Sequence, residues 1–357
     1  MPNKIRRIFP GANTANGPYN FFDYIIPQNV NRIFCMKGGP GVGKSSMMKK
    51  IAKEFEEKGY TIELHHCPSD PSSLDGVVIM ELGVVLLDGT APHIVDPKLP
   101  GAVDEIINLG EYWNLESLEQ NKLGIKEADR DISASFKRAY KYLKPAESMY
   151  NSIEEKIIGC MNYAKINIMT DEFIERIFKD CEAKEIYKKE RHLFGTAITP
   201  IGHIDYSDSL LCNVDVIYHL NGEKGSGKST FLKRVCDKAV QKGMEVEIYH
   251  YPLIKEKIET IIIKDLSMAI TTSKLFEDKE TIDLDKYINL KEYNKYKDEI
   301  EFDKKVFNEL LQHGIDNLNK AKIKHDVIEA YYVPNMYFDK IDKLKDEIVK
   351  RILKYAE

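Results

Sequence analysis

Two stretches of the chain repeat one pattern of apolar and polar positions. Around Lys44 the sequence runs NVNRIFCMKGGPGVGKSSMMKKIAKEFEEKGYTIELHHCP, and around Lys228 it runs NVDVIYHLNGEKGSGKSTFLKRVCDKAVQKGMEVEIYHYP. Each begins with a short apolar run, 32–36 or 214–220, that reads as a buried strand. A glycine-rich loop follows, then apolar residues at helical spacing over 45–58 or 229–242, stopped by a glycine that tolerates a left-handed C-terminus. A second strand-like run, 61–65 or 245–249, closes the unit. A constant separation of 184 residues pairs Lys44 with Lys228, Gly59 with Gly243, Glu63 with Glu247, His66 with His250 and Pro68 with Pro252. The chain therefore reads as an internal duplication.

The repeat extends in both directions. Thr14-Ala15-Asn16-Gly17 precedes the first loop as Thr199-Pro200-Ile201-Gly202 precedes the second. Downstream, residues 133–178 read as helical, with Phe136, Tyr140 and Leu143 at helical spacing. Residues 300–355 do too, with Ile341, Leu344, Ile348 and Ile352 along one face. Those faces are expected in core packing and domain contact. Strands alternating with helices predict an α/β fold: two tandem domains with parallel sheets, each carrying an appended helical segment, and ligands at the strand C-termini. The boundary is placed at 190, giving domains 1–190 and 191–357. The 357-residue length agrees with two domains.

The loops carry the chemistry. Gly38-Gly39-Pro40-Gly41-Val42-Gly43-Lys44-Ser45 and Gly222-Glu223-Lys224-Gly225-Ser226-Gly227-Lys228-Ser229 both fit G-x-x-x-x-G-K-[ST], with Ser46 and Thr230 next in line. Wrapping a polyphosphate requires several backbone N–H groups turned inward, which glycines permit, and a helix whose positive end faces the anion. Lys44 and Lys228 would reach the β- and γ-phosphates, and the hydroxyls of Ser45 and Ser229 would take a Mg²⁺ position. Each octapeptide follows a strand and opens a helix, the context in which the pattern is specific.

Magnesium also needs a carboxylate. Residues 83–87 form an apolar run ending in Asp88, the form of a Walker B strand, and this is the favoured ligand. The run 77–80 ending in Glu81 competes. Should Gly83 turn the two runs into a hairpin, only one carboxylate faces the nucleotide. Asp70, Asp75, His66 and His93 are candidates around a γ-phosphate or an acceptor, although capping and structural roles are the usual fate of such residues. Successive residues of a strand point to opposite faces, so His65, His66, Cys67 and His93 do not make one transition-metal site. Arg130, Arg138, Arg176 and Arg191 are candidates for a charge-neutralising finger. In the second half Thr272 stands at the position of Asp88, within Thr271-Thr272-Ser273, and Asp265 at that of Glu81. If Asp88 is the metal carboxylate, the second site holds nucleotide but hydrolyses it poorly; if Glu81 and Asp265 are, both sites are expected to be active.

GGPGVGKSS, HCPSDPSSLDGVVIMELGVVLLDGTAPHIVDP, PGAVDEIINLG, HLFGTAITPIG and GEKGSGKST together resemble an uncharacterised family of bacterial tandem P-loop NTPases, labelled ATPase or nucleotide kinase. The resemblance covers nearly the whole chain and implies the fold and nucleotide binding, without implying a reaction. The leading expectation is Mg²⁺-dependent ATP hydrolysis at the first site, through Lys44, Ser45 and Asp88, with a regulatory second site. A small-molecule or nucleotide kinase with an acceptor pocket and a nucleotide-gated switch with little catalysis are the alternatives. GTP could replace ATP, but no N-K-x-D stands at a suitable place, which favours adenine. A net charge of −5 disfavours nucleic acid as a partner. No apolar run is long enough for a membrane span, no apolar stretch follows the basic N-terminus as a secretory signal requires, and six scattered cysteines fit reduced thiols. The expected location is the cytoplasm.

Overall fold

The computed structural model describes residues 4–90, 94–185 and 190–356. His93 and part of the 188–191 boundary stretch lie outside the described residues. The first half contributes β1 (Ile5–Ile8), the hairpin β2 (Gly11–Thr14) and β3 (Gly17–Asn20), β4 (Arg32–Lys37) and α1 (Lys44–Glu57). β5 (Ile62–Cys67), β6 (Asp70–Ile79), β7 (Val84–Asp88) and β8 (Asp104–Asn108) follow, then α2 (Leu115–Gln120), α3 (Lys122–Ile158) and α4 (Tyr163–Phe178). The second half repeats the order with β9 (Arg191–Leu193), β10 (Thr196–Thr199), β11 (Gly202–Asp205), α5 (Ser207–Leu211), β12 (Val216–Asn221) and α6 (Lys228–Gln241). It ends with β13 (Val246–His250), β14 (Ile258–Ile263), β15 (Met268–Thr271), β16 (Glu280–Asp283), α7 (Leu290–Tyr332) and α8 (Phe338–Leu353).

Each half forms a six-stranded sheet, ordered β1-β5-β6-β7-β4-β8 and β9-β13-β14-β15-β12-β16. Strand for strand the two orders are the same. The sheets are mixed, which corrects the expectation of parallel ones. β4 pairs in parallel with β7 and β8, but β6 runs antiparallel to both β5 and β7. The reason is chain length: only Pro68 and Ser69 separate β5 from β6, and a tight turn at Gly83 (φ 57°) separates β6 from β7. A parallel crossover takes a dozen or more residues.

Each sheet draws its strands from one side of residue 190, whereas the helices cross over. Ile341, Ile348, Val349 and Ile352 of α8 are buried in the core formed by the first sheet and α1. Ile166 and Phe173 of α4 pack into the core of the second sheet and α6. The long helices carry this exchange by running antiparallel along one another: Gly124 lies against Tyr331, Leu143 against Gly314, and Lys156 pairs with Asp303 at 2.8 Å. A Cβ on Gly314 would stand 2.5 Å from Leu143 Cδ2, so glycine sets the close approach of α3 and α7.

The halves also meet at their sheet edges. Phe9 and Phe194 exchange both backbone hydrogen bonds at 3.0 Å. Beside them Arg6 and Arg191 each bridge the carboxylates of both halves. Arg6 donates to Glu63 at 2.7 Å and Glu247 at 2.5 Å, and Arg191 donates to Glu63 at 2.6 Å and Glu247 at 3.1 Å. Burial pushes both carboxyls up, but the two guanidiniums, joined at Glu247 by the Lys264 ammonium at 3.0 Å, outweigh it and hold them well below the usual carboxylate range. Among the described residues no helix is long and apolar enough to cross a membrane.

Candidate functional site

The first glycine-rich loop leaves the buried strand β4 and enters α1 through Gly41 (φ 68°) and Gly43 (φ 93°), conformations that a side chain would strain. Gly43 is the left-handed cap of α1, so Lys44 and Ser45 open the first helical turn. The Lys44 ammonium donates to the carbonyls of Gly38 at 2.7 Å and Gly39 at 2.9 Å, and lies 3.5 Å from the Asp88 carboxylate. Ser45 Oγ accepts the Leu74 N–H at 3.0 Å, which fixes the hydroxyl against β6. Thr90 binds the Gly38 carbonyl through its hydroxyl at 3.0 Å and Asp88 Oδ1 through its N–H at 2.9 Å. A cavity of about 550 Å³ opens over this arrangement, lined by Gly39 to Ser46, Asp75 and Asp88.

Asp75 is the least satisfied group there. Only 5% exposed, it stands just beyond the last β6–β7 pair, Gly76 opposite Leu87, within reach of the Asp88 charge, and its Oδ2 has no hydrogen-bond partner. Burial, with the Asp88 charge adding to it, raises its carboxyl from 3.8 to about 8. The Ser45 hydroxyl and the half-buried Asp88 carboxylate form a hard-oxygen pair of the kind that Mg²⁺ takes, with the orphaned Asp75 oxygen beside them.

Other candidates fall elsewhere. Glu81 is a correction: it sits in the β6–β7 turn at the far end of the sheet, its carboxylate capping the Thr61 N–H at 2.9 Å and hydroxyl at 2.6 Å. The hairpin that makes β6 antiparallel puts Glu81 and Asp88 at opposite ends of β7. Asp265 repeats the role, accepting the Glu245 N–H at 2.6 Å. His66 packs on Tyr206 with Nδ1 2.8 Å from the Pro71 carbonyl, and burial lowers its pKa to about 4. His65 is buried beside Glu63, apart from the cavity. Asp70 lines the cavity mouth, held by the hydroxyls of Ser72 at 2.6 Å and Ser73 at 2.8 Å.

None of the four arginines reaches a loop. Arg191 is held in the ion cluster between the sheets. Arg176 stacks on Phe173 on the surface, Arg138 lies exposed against Tyr142, and Arg130 is exposed.

The second loop repeats the backbone, with Gly225 (φ 84°) and Gly227 (φ 102°). Lys228 donates to the carbonyls of Gly222 and, at 2.8 Å, Glu223, and Ser229 Oγ accepts the Ile258 N–H at 2.8 Å. Its cavity, about 840 Å³, is lined by Glu223, Lys224, Gly225, Gly227, Lys228, Ser229 and Thr230, while Ser226 is fully buried behind it. Thr272 stands where Asp88 does and binds the Glu259 carbonyl through its N–H at 2.9 Å. Without a carboxylate there, burial lowers Lys228 to about 8. Glu259, at the position of Asp75, is half-buried, raised to about 7 by desolvation, and accepts the Thr196 hydroxyl at 2.6 Å. The Lys224 ammonium rests 4.7 Å over the Phe307 ring.

Each cavity has a wall from the opposite half, which the motif reading missed. The α7–α8 junction covers the first loop: a Cβ on Gly41 would lie 3.4 Å from Glu329 Cα, and one on Gly43 3.5 Å from the Phe338 ring. The α3–α4 junction covers the second, with Glu154 Cα at 3.0 Å from the Gly225 position and the Tyr163 ring at 3.5 Å from that of Gly227. These contacts obey a second repeat distance of 175 residues, Glu154 to Glu329 and Tyr163 to Phe338. The change from 184 to 175 marks the shorter connection before β16, and the spacing alone does not say which half each helix covers. Among the described residues one histidine–carboxylate group has metal-ligand spacing, His325, Asp326 and Glu329 along α7, on the rim of the first cavity.

Compared with known proteins, the chain matches no family model, no curated sequence and no solved structure.

Proposed function

We propose that this protein is a tandem P-loop NTPase that binds ATP, or GTP, with Mg²⁺ at both glycine-rich loops and hydrolyses it at the first. One observation carries the reading: a loop lysine, the first helical hydroxyl and a strand-end carboxylate converge at Lys44, Ser45 and Asp88, with 3.5 Å between ammonium and carboxylate. The glycine backbone and the N-terminus of α1 receive the phosphates, and Lys44 exchanges its two carbonyl partners for phosphate oxygens. Ser45 and Asp88 would hold Mg²⁺, which offsets charge on the β- and γ-phosphates. Asp75 is placed to accept the proton of an attacking water once its own proton has left.

In the second site the same loop lacks the Asp88 carboxylate, so nucleotide binds at Ser229 and Lys228 without efficient turnover and serves a regulatory role. Calorimetric titration of the intact chain with Mg-ATP and Mg-GTP, alongside phosphate release, tests this. Two sites are expected in the parent chain. Lys44→Ala should abolish turnover, and Lys228→Ala should remove one binding site while hydrolysis persists. Equal loss of turnover in both variants would refute the asymmetric assignment. A phosphorylated acceptor in a metabolite pool, with no acceptor-independent phosphate release, would move the reading to a kinase.

A further inference from the structure

A phosphoryl-transfer site of this kind gains most of its rate from positive charge placed on the departing phosphoryl group, and a finger residue from a neighbouring element is a recurrent source. The arginines do not supply it here. Across the first cavity, however, α7 of the opposite half presents Lys322, which lines the same space as Lys44, Asp75 and Asp88. Its side chain is 24% exposed, its ammonium lies 3.6 Å from Asp70 Oδ2, and it also bonds Asp326. Burial works against its charge, but Asp326 and Asp70 outweigh that and raise its pKa, so it stays an ammonium at neutral pH.

Among the described residues the opposite half lends the second cavity no lining cation. The 175-residue relation puts Glu147 at the position of Lys322, and the 184-residue relation puts Ile254 at that of Asp70; both line the second cavity. The lysines that line the second cavity, Lys224, Lys228 and Lys257, all come from its own half, Lys257 being held by Glu154 at 2.5 Å, so a cation supplied by the opposite half is confined to the site that also keeps Asp88. Two independent differences, one on β7 and one on a helix from the other end of the chain, separate the sites in the same direction.

We infer that Lys322 is a charge-stabilising group supplied to the first site by the opposite half. The inference rests on the nucleotide reading proposed above. In the hydrolysis the bond from the β–γ bridging oxygen to Pγ breaks and a bond from water oxygen to Pγ forms. The water proton passes to a carboxylate and then to solvent, leaving nucleoside diphosphate, phosphate and a proton. Lys322 moves no proton. It turns from Asp70 and Asp326 to a γ-phosphate oxygen and offsets the charge that spreads over the phosphoryl oxygens. Because α7 also carries Glu329 against the loop, this cation is in place only when the two halves are docked.

The test uses the full chain with Lys322→Met and Lys322→Arg, measuring Mg-ATP affinity by calorimetry and single-turnover phosphate release. Lys322→Met should bind Mg-ATP within about threefold of the parent and lose about 100-fold or more in rate, and Lys322→Arg should recover most of the loss. A double-mutant cycle guards against a merely structural effect. Asp70→Asn removes the competitor for the ammonium that lies on the loop's own half, leaving Asp326, so it should tighten Mg-ATP binding when Lys322 is present and leave it unchanged beside Lys322→Met. A Lys322→Met rate within threefold of the parent, or an equal tightening by Asp70→Asn in both backgrounds, overturns the assignment. Failure of the parent chain to bind Mg-ATP at all would instead remove the nucleotide reading beneath it.

Discussion

Replacing Asp75 with asparagine removes the carboxyl of the first site whose proton burial holds in place. The folded chain keeps this carboxyl protonated up to about pH 8, whereas the unfolded chain releases the proton near 3.8. The folded state therefore binds more protons between those values. The contribution to stability is fully present below pH 3.8 and is lost as pH rises through 8. With about 1.36 kcal/mol per unit, the shift corresponds to roughly 5–6 kcal/mol in total, of which about 2–3 kcal/mol falls between pH 6 and pH 9. Over that interval Glu259, raised to about 7, drifts the same way by roughly 1 kcal/mol. Lys228, lowered to about 8, drifts oppositely by a similar amount. The difference between parent and Asp75→Asn thus reports Asp75 alone. Urea unfolding at several pH values in metal-free buffer measures it: the parent should lose about 2–3 kcal/mol relative to the variant between pH 6 and pH 9. Stability curves that run parallel across this range would show that Asp75 is ionised in the folded chain, and the argument from its burial beside Asp88 would fail.

Two further perturbations probe how the halves are joined. Arg191→Met leaves Glu63 and Glu247 buried with one guanidinium fewer, and should cost about 3–5 kcal/mol, read as a lower Tm. The same cluster makes the parent acid-sensitive. Its carboxyls are held below 4.5, so their stabilisation is present above that pH and is lost as pH falls through their folded values, which an acid-unfolding curve steeper in the parent than in Arg191→Met would confirm. Gly225→Ala places a Cβ 2.6 Å from the Glu154 carbonyl, whereas Gly202→Ala, also at positive φ, meets nothing within 4 Å. The second should cost only about 1–2 kcal/mol of backbone strain, and the first should in addition release α3 from the loop, seen as faster amide exchange over residues 150–158. Equal exchange in the two variants would argue against the helix as a wall of the second site.

The loops, their flanking strands and the first helix of each half were legible because short-range pattern determines them: apolar runs, glycines at turns and a helical stop at Gly59 and Gly243. Asp88 was legible for the same reason, as the polar end of an apolar run, and the hairpin at Gly83 was one of two open alternatives. The reversal of β6 was missed as a property of the sheet, although the brevity of the Pro68-Ser69 link contains it. Asp75 appeared only as one loop carboxylate among several, since its importance comes from burial close to Asp88 at the end of a strand pairing that periodicity does not reveal. Lys322, Glu329 and Phe338 were invisible as site residues. They lie nearly 300 residues from the first loop, and nothing local distinguishes a helix that covers its own half from one that covers the other. Arg191 shows the converse: a free-looking cation in the sequence becomes a buried bridge once both sheets are assembled.

The crossed helices bear on how the chain comes to be folded at all. The apolar side of the first sheet and α1 is completed by residues 338–353, which are synthesised some 280 residues after α1. At ribosomal speeds of about 5–20 residues per second that interval is on the order of tens of seconds. Throughout it Ile51, Phe55 and their neighbours lack the helix that shields them, so the nascent N-terminal portion is a sticky species needing a chaperone or a temporary stand-in. By the same logic, expressing residues 1–190 alone should yield aggregate, and supplying a peptide spanning 333–356 should restore solubility.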